Sequence, residues 1–173
     1  MAGSLIKIDE EIVSSAVSSV TLGASDWDSS YDVYMVKFNA LEVDTDSTTL
    51  SFRVTVSGTP DTTSNYDRAD KQLLSNTTFA NSSNTNQNNW VNSVDGTGTG
   101  EANNGILYLF NFNNSSEYSF MTRETTQYDQ NPRLISRTGG GVHTVAQACD
   151  GIQFYVSSGN IDNGTFTLYG LKK

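Results

Sequence analysis

The sequence predicts an all-β protein, a single antiparallel β-sandwich domain that spans residues 1–173. In the segment Leu50–Ser57, apolar residues alternate with Ser, Arg and Thr, which is the pattern of a strand with one buried face. Similar short segments recur along the chain, and Gly, Asn, Asp and Ser separate them. The chain contains only 2 prolines and no convincing long helical period, so we expect two packed sheets to form the core.

The first part of the chain is predicted to form short strands joined by a loop and a turn. Between Leu5 and Val20 the apolar residues are embedded in Ser and Thr, which favours strands, with a helix as the alternative. The segment 23–30 is rich in Ser and Asp and predicts a loop. A strand at Tyr31–Phe38 follows, and the turn Asp44–Ser47 leads into the alternating strand described above.

The middle of the chain is predicted to contain a long Asn- and Gly-rich surface loop around residues 75–104. Asn, Ser, Thr and Gly dominate this segment, and its few apolar residues include Phe79, Trp90 and Val91. We expect these apolar side chains to anchor the loop. The preceding segment 65–74 fits either a helical turn or an irregular strand, and its periodicity does not decide between them.

The second half of the chain predicts two further pairs of strands. Segments 105–112 and 117–126 are expected to form a hairpin around the turn residues 113–116. Near the C-terminus, apolar residues alternate with polar ones in the segments 152–156 and 165–169, so both strands are expected to face one core. The end of the chain is therefore predicted to be held within a sheet.

The composition excludes several functions. The chain has 10 Lys and Arg against 19 Asp and Glu, a formal charge of -9, whereas binding to nucleic acid requires clustered basic residues. One cysteine and one histidine exclude an internal disulfide and a structural zinc site built from thiolates and imidazoles. We expect Cys149 to be a small buried hydrophobic residue, and we expect no cofactor.

The sequence shows no export signal and no membrane segment. Asp9, Glu10 and Glu11 occupy the region in which a signal peptide needs an apolar run. The longest strongly apolar run is Ile106–Phe110, whereas a helix that crosses a bilayer needs about 20 residues. We therefore expect a soluble protein that does not insert into membranes.

The residues that offer catalytic or metal-binding chemistry do not form a recognisable motif. His143 is the only imidazole and no Gly-x-Ser-x-Gly elbow accompanies it, so we predict a histidine in a loop or at a strand entry. Asp26 and Asp28 flank Trp27 and offer oxygen ligands for calcium, but the segment lacks the glycine and glutamate of an EF-hand. We interpret it as a solvated loop, and Gly96–Gly100 as a flexible loop.

The C-terminal segment carries a recognisable motif. Residues 164–172 read Gly-Thr-Phe-Thr-Leu-Tyr-Gly-Leu-Lys, and they follow Asp150–Phe154 and Ser158–Ile161. Together these segments resemble the C-terminal signature of virion proteins from marine tailed phages, such as cyanophages and pelagiphages. Further segments that resemble this group are Ser4–Asp9, Tyr31–Phe38, Ser57–Asp61 and Tyr108–Tyr118. The resemblance implies a jelly-roll sandwich, a structural role in the particle and no catalytic residues.

The sequence and this resemblance favour a non-enzymatic structural component of a tailed-phage virion. We expect it on the particle exterior, as a head decoration protein or a tail appendage, and in the host cytoplasm before assembly. The alternative is a receptor- or glycan-binding module of a tail fibre or spike, in which Trp27, Trp90 and Tyr66 are stacking platforms for sugars. A polysaccharide hydrolase is a less favoured alternative. The expected partners are copies of the chain, other virion proteins and a host-surface glycan.

A homo-oligomer, with a trimer favoured, is predicted from the 75–104 loop. Its apolar side chains would be poorly buried in one chain, and burial against a second copy is favourable by about 25 cal/mol per Å². Arg123, Arg133 and Arg137 are expected to meet Asp-rich loops of a neighbouring copy. The alternative is that Trp90 folds back on its own sandwich and the arginines lie in solvent. The candidate contact residues are Trp90, Phe79, Val91, Trp27, Arg123, Arg133 and Arg137.

Overall fold

The computed structural model describes residues 4–129 and 131–171. Within these residues it contains 13 strands and one three-residue 3-10 helix, Ala24–Asp26. The strands are β1 (Leu5–Val13), β2 (Ser19–Gly23), β3 (Val33–Val43), β4 (Thr48–Val56), β5 (Thr59–Pro60), β6 (Tyr66–Leu74), β7 (Ala80–Gln87), β8 (Trp90–Asp95), β9 (Asn103–Phe110), β10 (Ser119–Asp129), β11 (Arg133–His143), β12 (Gly151–Val156) and β13 (Ile161–Leu171).

The strands form two antiparallel sheets that pack face to face. The larger sheet has eight strands in the order β1-β13-β3-β9-β10-β11-β6-β7. The smaller sheet has five strands, in which β2, β12 and β4 are neighbours and β4 also pairs with β5 and β8. β8 pairs with the first half of β4, and β5 pairs with its last two residues. This arrangement confirms the predicted all-β sandwich.

The core lies between the two sheets and is rich in aromatic side chains. Phe38 and Phe166 project from the larger sheet, and Phe52 and Phe154 project from the smaller one. The ring of Phe154 lies 5.5 Å from Phe38, 5.2 Å from Phe166 and 5.7 Å from Phe52. All four rings are buried, and aromatic pairs at such distances stabilise the core beyond the effect of burial alone.

The strands at both ends of the chain agree with the alternation in the sequence. β1 and β2 are strands where a helix was the alternative, and the undecided segment 65–74 is β6. β9 and β10 form the predicted hairpin. β12 and β13 belong to different sheets and face each other across the core, and β13 lies between β1 and β3. Cys149 is buried, as predicted, and residues 172 and 173 lie outside the described residues.

The prediction of a long loop at 75–104 is wrong over much of its length. β7 and β8 occupy about half of this segment, and loops remain at 75–79 and 96–102. β7 is an edge strand with almost every side chain exposed, so both of its faces are polar. Such a strand lacks the alternation by which a half-buried strand is recognised. The sequence does not indicate β8 as a strand, because its inward residues include the buried polar residues Asn92, Ser93 and Asp95.

Two glycines of β11 allow side chains from neighbouring strands to pack across it. Gly139 pairs with Arg123 of β10 and with Asp70 of β6, and a Cβ atom there would lie 2.4 Å from a backbone oxygen of β6. A Cβ atom at Gly141 would lie 2.5 Å from Nε1 of Trp90. Both positions therefore require glycine on the inner side of the strand.

Candidate interaction surface

The larger sheet presents three rows of side chains on the side that faces away from the smaller sheet. The first row, from β3 to β6, is Val33, Phe110, Phe120, Val142 and Asp67. The second row, from β1 to β7, is Lys7, Tyr169, Met35, Tyr108, Thr122, Gly140, Ala69 and Ser83. The third row, from β1 to β7, is Glu10, Thr167, Lys37, Ile106, Glu124, Thr138, Lys71 and Asn81. We call these three rows the outer face.

The outer face carries a band of apolar side chains across its first two rows. Phe120 is 43% exposed and Tyr108 is 38% exposed. Their neighbours along the strands, Leu107, Leu109 and Met121, are buried in the core, so β9 and β10 have apolar residues on both faces. Strands that are apolar on both faces are typical of sheets covered on both sides. The band therefore has the character of a contact surface.

The apolar band ends in a groove at β11. Gly140 lies in the second row and has no side chain, so the surface is lower there than at the flanking strands. The groove has a volume of about 640 Å³, and Phe120 and Val142 form its apolar wall. Asp67 and Asn84 line its polar side, next to the edge of the sheet. The groove is wide enough for a large side chain or a small ligand.

The outer face is electrically balanced, although the chain is strongly acidic. Its third row contains Glu10, Lys37, Glu124 and Lys71 on β1, β3, β10 and β6. Lys7 and Asp67 add one charge of each sign, so the three rows sum to zero, whereas the whole chain carries -9. An acidic or neutral partner can therefore approach this face without the repulsion that the rest of the molecule exerts.

A buried charge network supports the outer face from the inner side. Arg123 donates from Nη2 to Oδ2 of Asp70 at 2.6 Å and from Nη1 to the carbonyl oxygen of Val91 at 2.6 Å. Arg68 also donates to Oδ2 of Asp70, and Nη1 of Arg137 lies 3.5 Å from Oδ1. Burial lowers the pKa of Arg123 to about 10, although Asp70 opposes this change. The network connects β6, β10 and β11 to β8 of the other sheet.

Trp90 does not form the exposed contact that the sequence predicted. It is fully buried, its ring lies 5.0 Å from Tyr66 and 5.8 Å from Phe52, and Nε1 donates to the carbonyl oxygen of Asp67. The prediction is wrong because β8 pairs with β4 and carries the ring into the core, where Gly141 leaves room for it. The alternative, in which Trp90 folds back on its own sandwich, describes the structure.

The predicted arginine contacts with a neighbour are wrong for Arg123 and Arg137, because both contact Asp70 of the same chain. Arg133 pairs with Asp129 at 3.0 Å and is partly exposed. The alternative in which the arginines lie in solvent is therefore also wrong for Arg123 and Arg137. The positions of Arg123 and Asp70 in the sequence do not reveal their contact, because Asp70 of β6 reaches Arg123 of β10 across Gly139 of β11.

The remaining predicted contact residues differ in their environments. Phe79 is 58% exposed, and Nζ of Lys71 lies 3.8 Å from the centre of its ring. Val91 is half-buried in β8. Trp27 is half-buried, stacks on Tyr34 at 4.0 Å and donates from Nε1 to Oδ1 of Asn113 at 2.8 Å. Of the predicted residues, Phe79 is thus the one aromatic side chain with more than half of its surface exposed.

The residues singled out for catalysis or metal binding lie apart from the outer face. His143 ends β11, is fully buried, and its Nε2 lies 3.0 Å from Oδ2 of Asp61. Burial lowers the pKa of His143, and the neighbouring carboxylate opposes this change. Oδ1 of Asp28 accepts a hydrogen bond from the backbone of Ser30 at 2.9 Å, as in a turn. Among the residues that the structure describes, no three His, Cys, Asp or Glu side chains are grouped to hold a metal ion.

No protein-family model matches the chain. No curated protein is significantly similar to it. In residues 4–129 and 131–171, the structure has no helix with the length and apolar character needed to span a membrane.

Proposed function

We propose that the protein is a non-enzymatic structural component of a tailed-phage virion, displayed on the particle exterior and attached through its outer face. The observation that carries this proposal is the in-register apolar band, in which Val33, Phe110, Phe120 and Val142 lie side by side on four adjacent strands. A rigid two-sheet scaffold with a broad apolar and electrically balanced face suits assembly with other proteins. The resemblance of the C-terminal motif to virion proteins of marine tailed phages supports the particle as the setting.

We also infer that the sandwich is a jelly roll enlarged by two insertions. Four strands of the larger sheet lie in the order β1-β13-β3-β9, and four of the smaller sheet in the order β2-β12-β4-β8. Chain neighbours such as β1 and β2, or β12 and β13, thus lie in opposite sheets, which is how paired Greek keys wind around one core. The insertions are β5 to β7 and β10 to β11, and four of these five strands, β6, β7, β10 and β11, extend the larger sheet.

Labelling of intact virions tests the proposal. We expect an antibody against the purified protein to decorate virions of the phage that encodes it, on the head for a decoration protein or on the tail for an appendage. We also expect the purified protein to leave host envelope polysaccharide intact. Absence of the protein from purified virions would overturn the proposal. So would polysaccharide clearing that is lost when a single carboxylate is replaced.

The second candidate, a glycan-binding module, loses the aromatic platforms on which it was based. Trp90 and Tyr66 are fully buried, and Trp27 stacks on Tyr34 within the chain. Sugar-binding platforms must present a ring face to solvent. The environments of Trp27, Trp90 and Tyr66 therefore give no support to glycan binding.

A further inference from the structure

We propose that two copies of the chain pair through their outer faces about a two-fold axis that runs along β9. This inference rests on the proposed function, because it names the partner of the same surface. Three observations carry it: the order of charges in the third row, the match between a large side chain and the groove, and the size of the face.

The third row has an order of charges that complements itself. Glu10, Lys37, Glu124 and Lys71 alternate in sign, and one strand without a charge in this row separates each from the next. An axis along β9 places β1 opposite β6 of the second copy, and β3 opposite β10. Glu10 then meets Lys71 of the second copy, and Lys37 meets Glu124. Opposite charges face each other at all four charged positions of the row, which favours this register over others.

The same axis matches a large side chain with the groove. It places β13 opposite β11, so Tyr169 lies over Gly140 of the second copy, where the groove of about 640 Å³ begins. In the first row, Val33 meets Phe120 of the second copy. Phe110 and Tyr108 lie on the axis and meet their own counterparts. A large residue opposite a glycine and aromatic pairs at the centre are typical of a well-packed contact.

The outer face has the size that a stable complex requires. Strands about 4.8 Å apart and residues about 3.3 Å apart give the three rows and their margins an outline of about 800 Å². Each partner in a standard protein complex buries about 800 Å². Two sheets that pack with aligned strands are also a common arrangement in β-proteins.

The distribution of charge favours pairing with a second copy of the chain through the outer face. The chain carries -9 in total, so two copies repel each other wherever their acidic surfaces meet. Outside the three rows, the charges sum to the full -9, because the rows themselves sum to zero. The outer face is therefore a broad surface at which identical chains can meet without a net repulsion between charges.

Sedimentation velocity and light scattering of the full chain at micromolar concentration test the proposal. We expect wild-type protein to have twice the mass of one chain. Tyr108→Glu brings two carboxylates together on the axis, so we expect the dissociation constant of the dimer to rise about 100-fold. Val94→Glu is the matched control, because Val94 is a similarly exposed apolar residue on β8 of the smaller sheet. The control is expected to remain a dimer, and circular dichroism confirms that both variants are folded.

Charge reversal tests the register of the two faces. Lys37→Glu alone and Glu124→Lys alone each create like-charged pairs, and we expect each to weaken the dimer about tenfold. The double variant restores opposite charges between copies, so we expect its dissociation constant to return to near the wild-type value. A merely structural effect of the two substitutions would add rather than cancel.

Several outcomes would overturn the proposal. They are a wild-type monomer, a closed trimer, a dimer that Tyr108→Glu does not weaken, and a double charge-reversal variant that is weaker than either single variant. The proposed function is tested separately, by virion labelling. A monomer found on virions would reject the dimer and keep the function, whereas a dimer absent from virions would do the reverse.

Discussion

Asp70 is the carboxylate that Arg68, Arg123 and Arg137 share in the interior of the sandwich. A buried cation that loses its partner costs far more than a buried pair contributes, because the remaining charge stays out of water. We expect Asp70→Asn to lower the free energy of unfolding by about 3 to 5 kcal/mol.

Arg123→Met is the comparison variant, because it removes one of the three cations and leaves Asp70 with two partners. We expect a smaller loss of stability from Arg123→Met than from Asp70→Asn, and urea denaturation measures both. Equal losses would contradict the expectation that Asp70 neutralises Arg68 and Arg137 as well as Arg123.

Asp95 is a second buried carboxylate, and its environment opposes ionisation. Its Oδ1 accepts a hydrogen bond from Asn103 at 3.1 Å, but burial raises its pKa to about 6. Because this folded-state pKa lies above the unfolded value of about 4, the stability of the fold decreases as the pH rises through this interval. We expect Asp95→Asn to raise the free energy of unfolding at pH 8 by about 2 to 3 kcal/mol and to have little effect at pH 4.

Urea denaturation at the two pH values checks this expectation. Asp162→Asn is the control, because Asp162 is exposed and carries the same formal charge. A stabilisation by Asp95→Asn that is equal at both pH values would contradict the assigned cause.

At the scale of one element, the effect of a glycine substitution in β11 on stability depends on which side of the strand the glycine faces. A Cβ atom at Gly139 would lie 2.4 Å from a backbone oxygen, whereas the nearest atom to a Cβ at Gly140 is 3.1 Å away. We expect Gly139→Ala to destabilise the fold by about 3 kcal/mol, since backbone cannot move aside easily. Gly140→Ala is expected to cost much less. Thermal unfolding compares the two variants, and equal losses would contradict the assignment of the inner and outer sides.

The strands differ in how well their sequences reveal them. β4 and the hairpin of β9 and β10 follow from alternation and turn residues, which are local signals. The unbroken apolar run Ile106–Phe110 lies in this hairpin and marks a strand with two apolar faces, so it also indicates the outer face. No local signal predicts that Trp90 enters the core or that Arg123 meets Asp70. Both depend on strands that are distant in sequence and are brought together across β11.

At the scale of the whole molecule, the position of β13 determines when the larger sheet can be completed. Leu5 pairs with Leu171, so the first described strand and the last are neighbours, and β3 pairs with the other side of β13. During synthesis, β1 and β3 have no shared neighbour until residues 161–171 have emerged from the ribosome. Pairings between such distant residues fold slowly, over milliseconds to seconds. The nascent chain therefore presents two open strand edges until these residues have emerged, a period in which it is vulnerable to aggregation and in which chaperones would protect it.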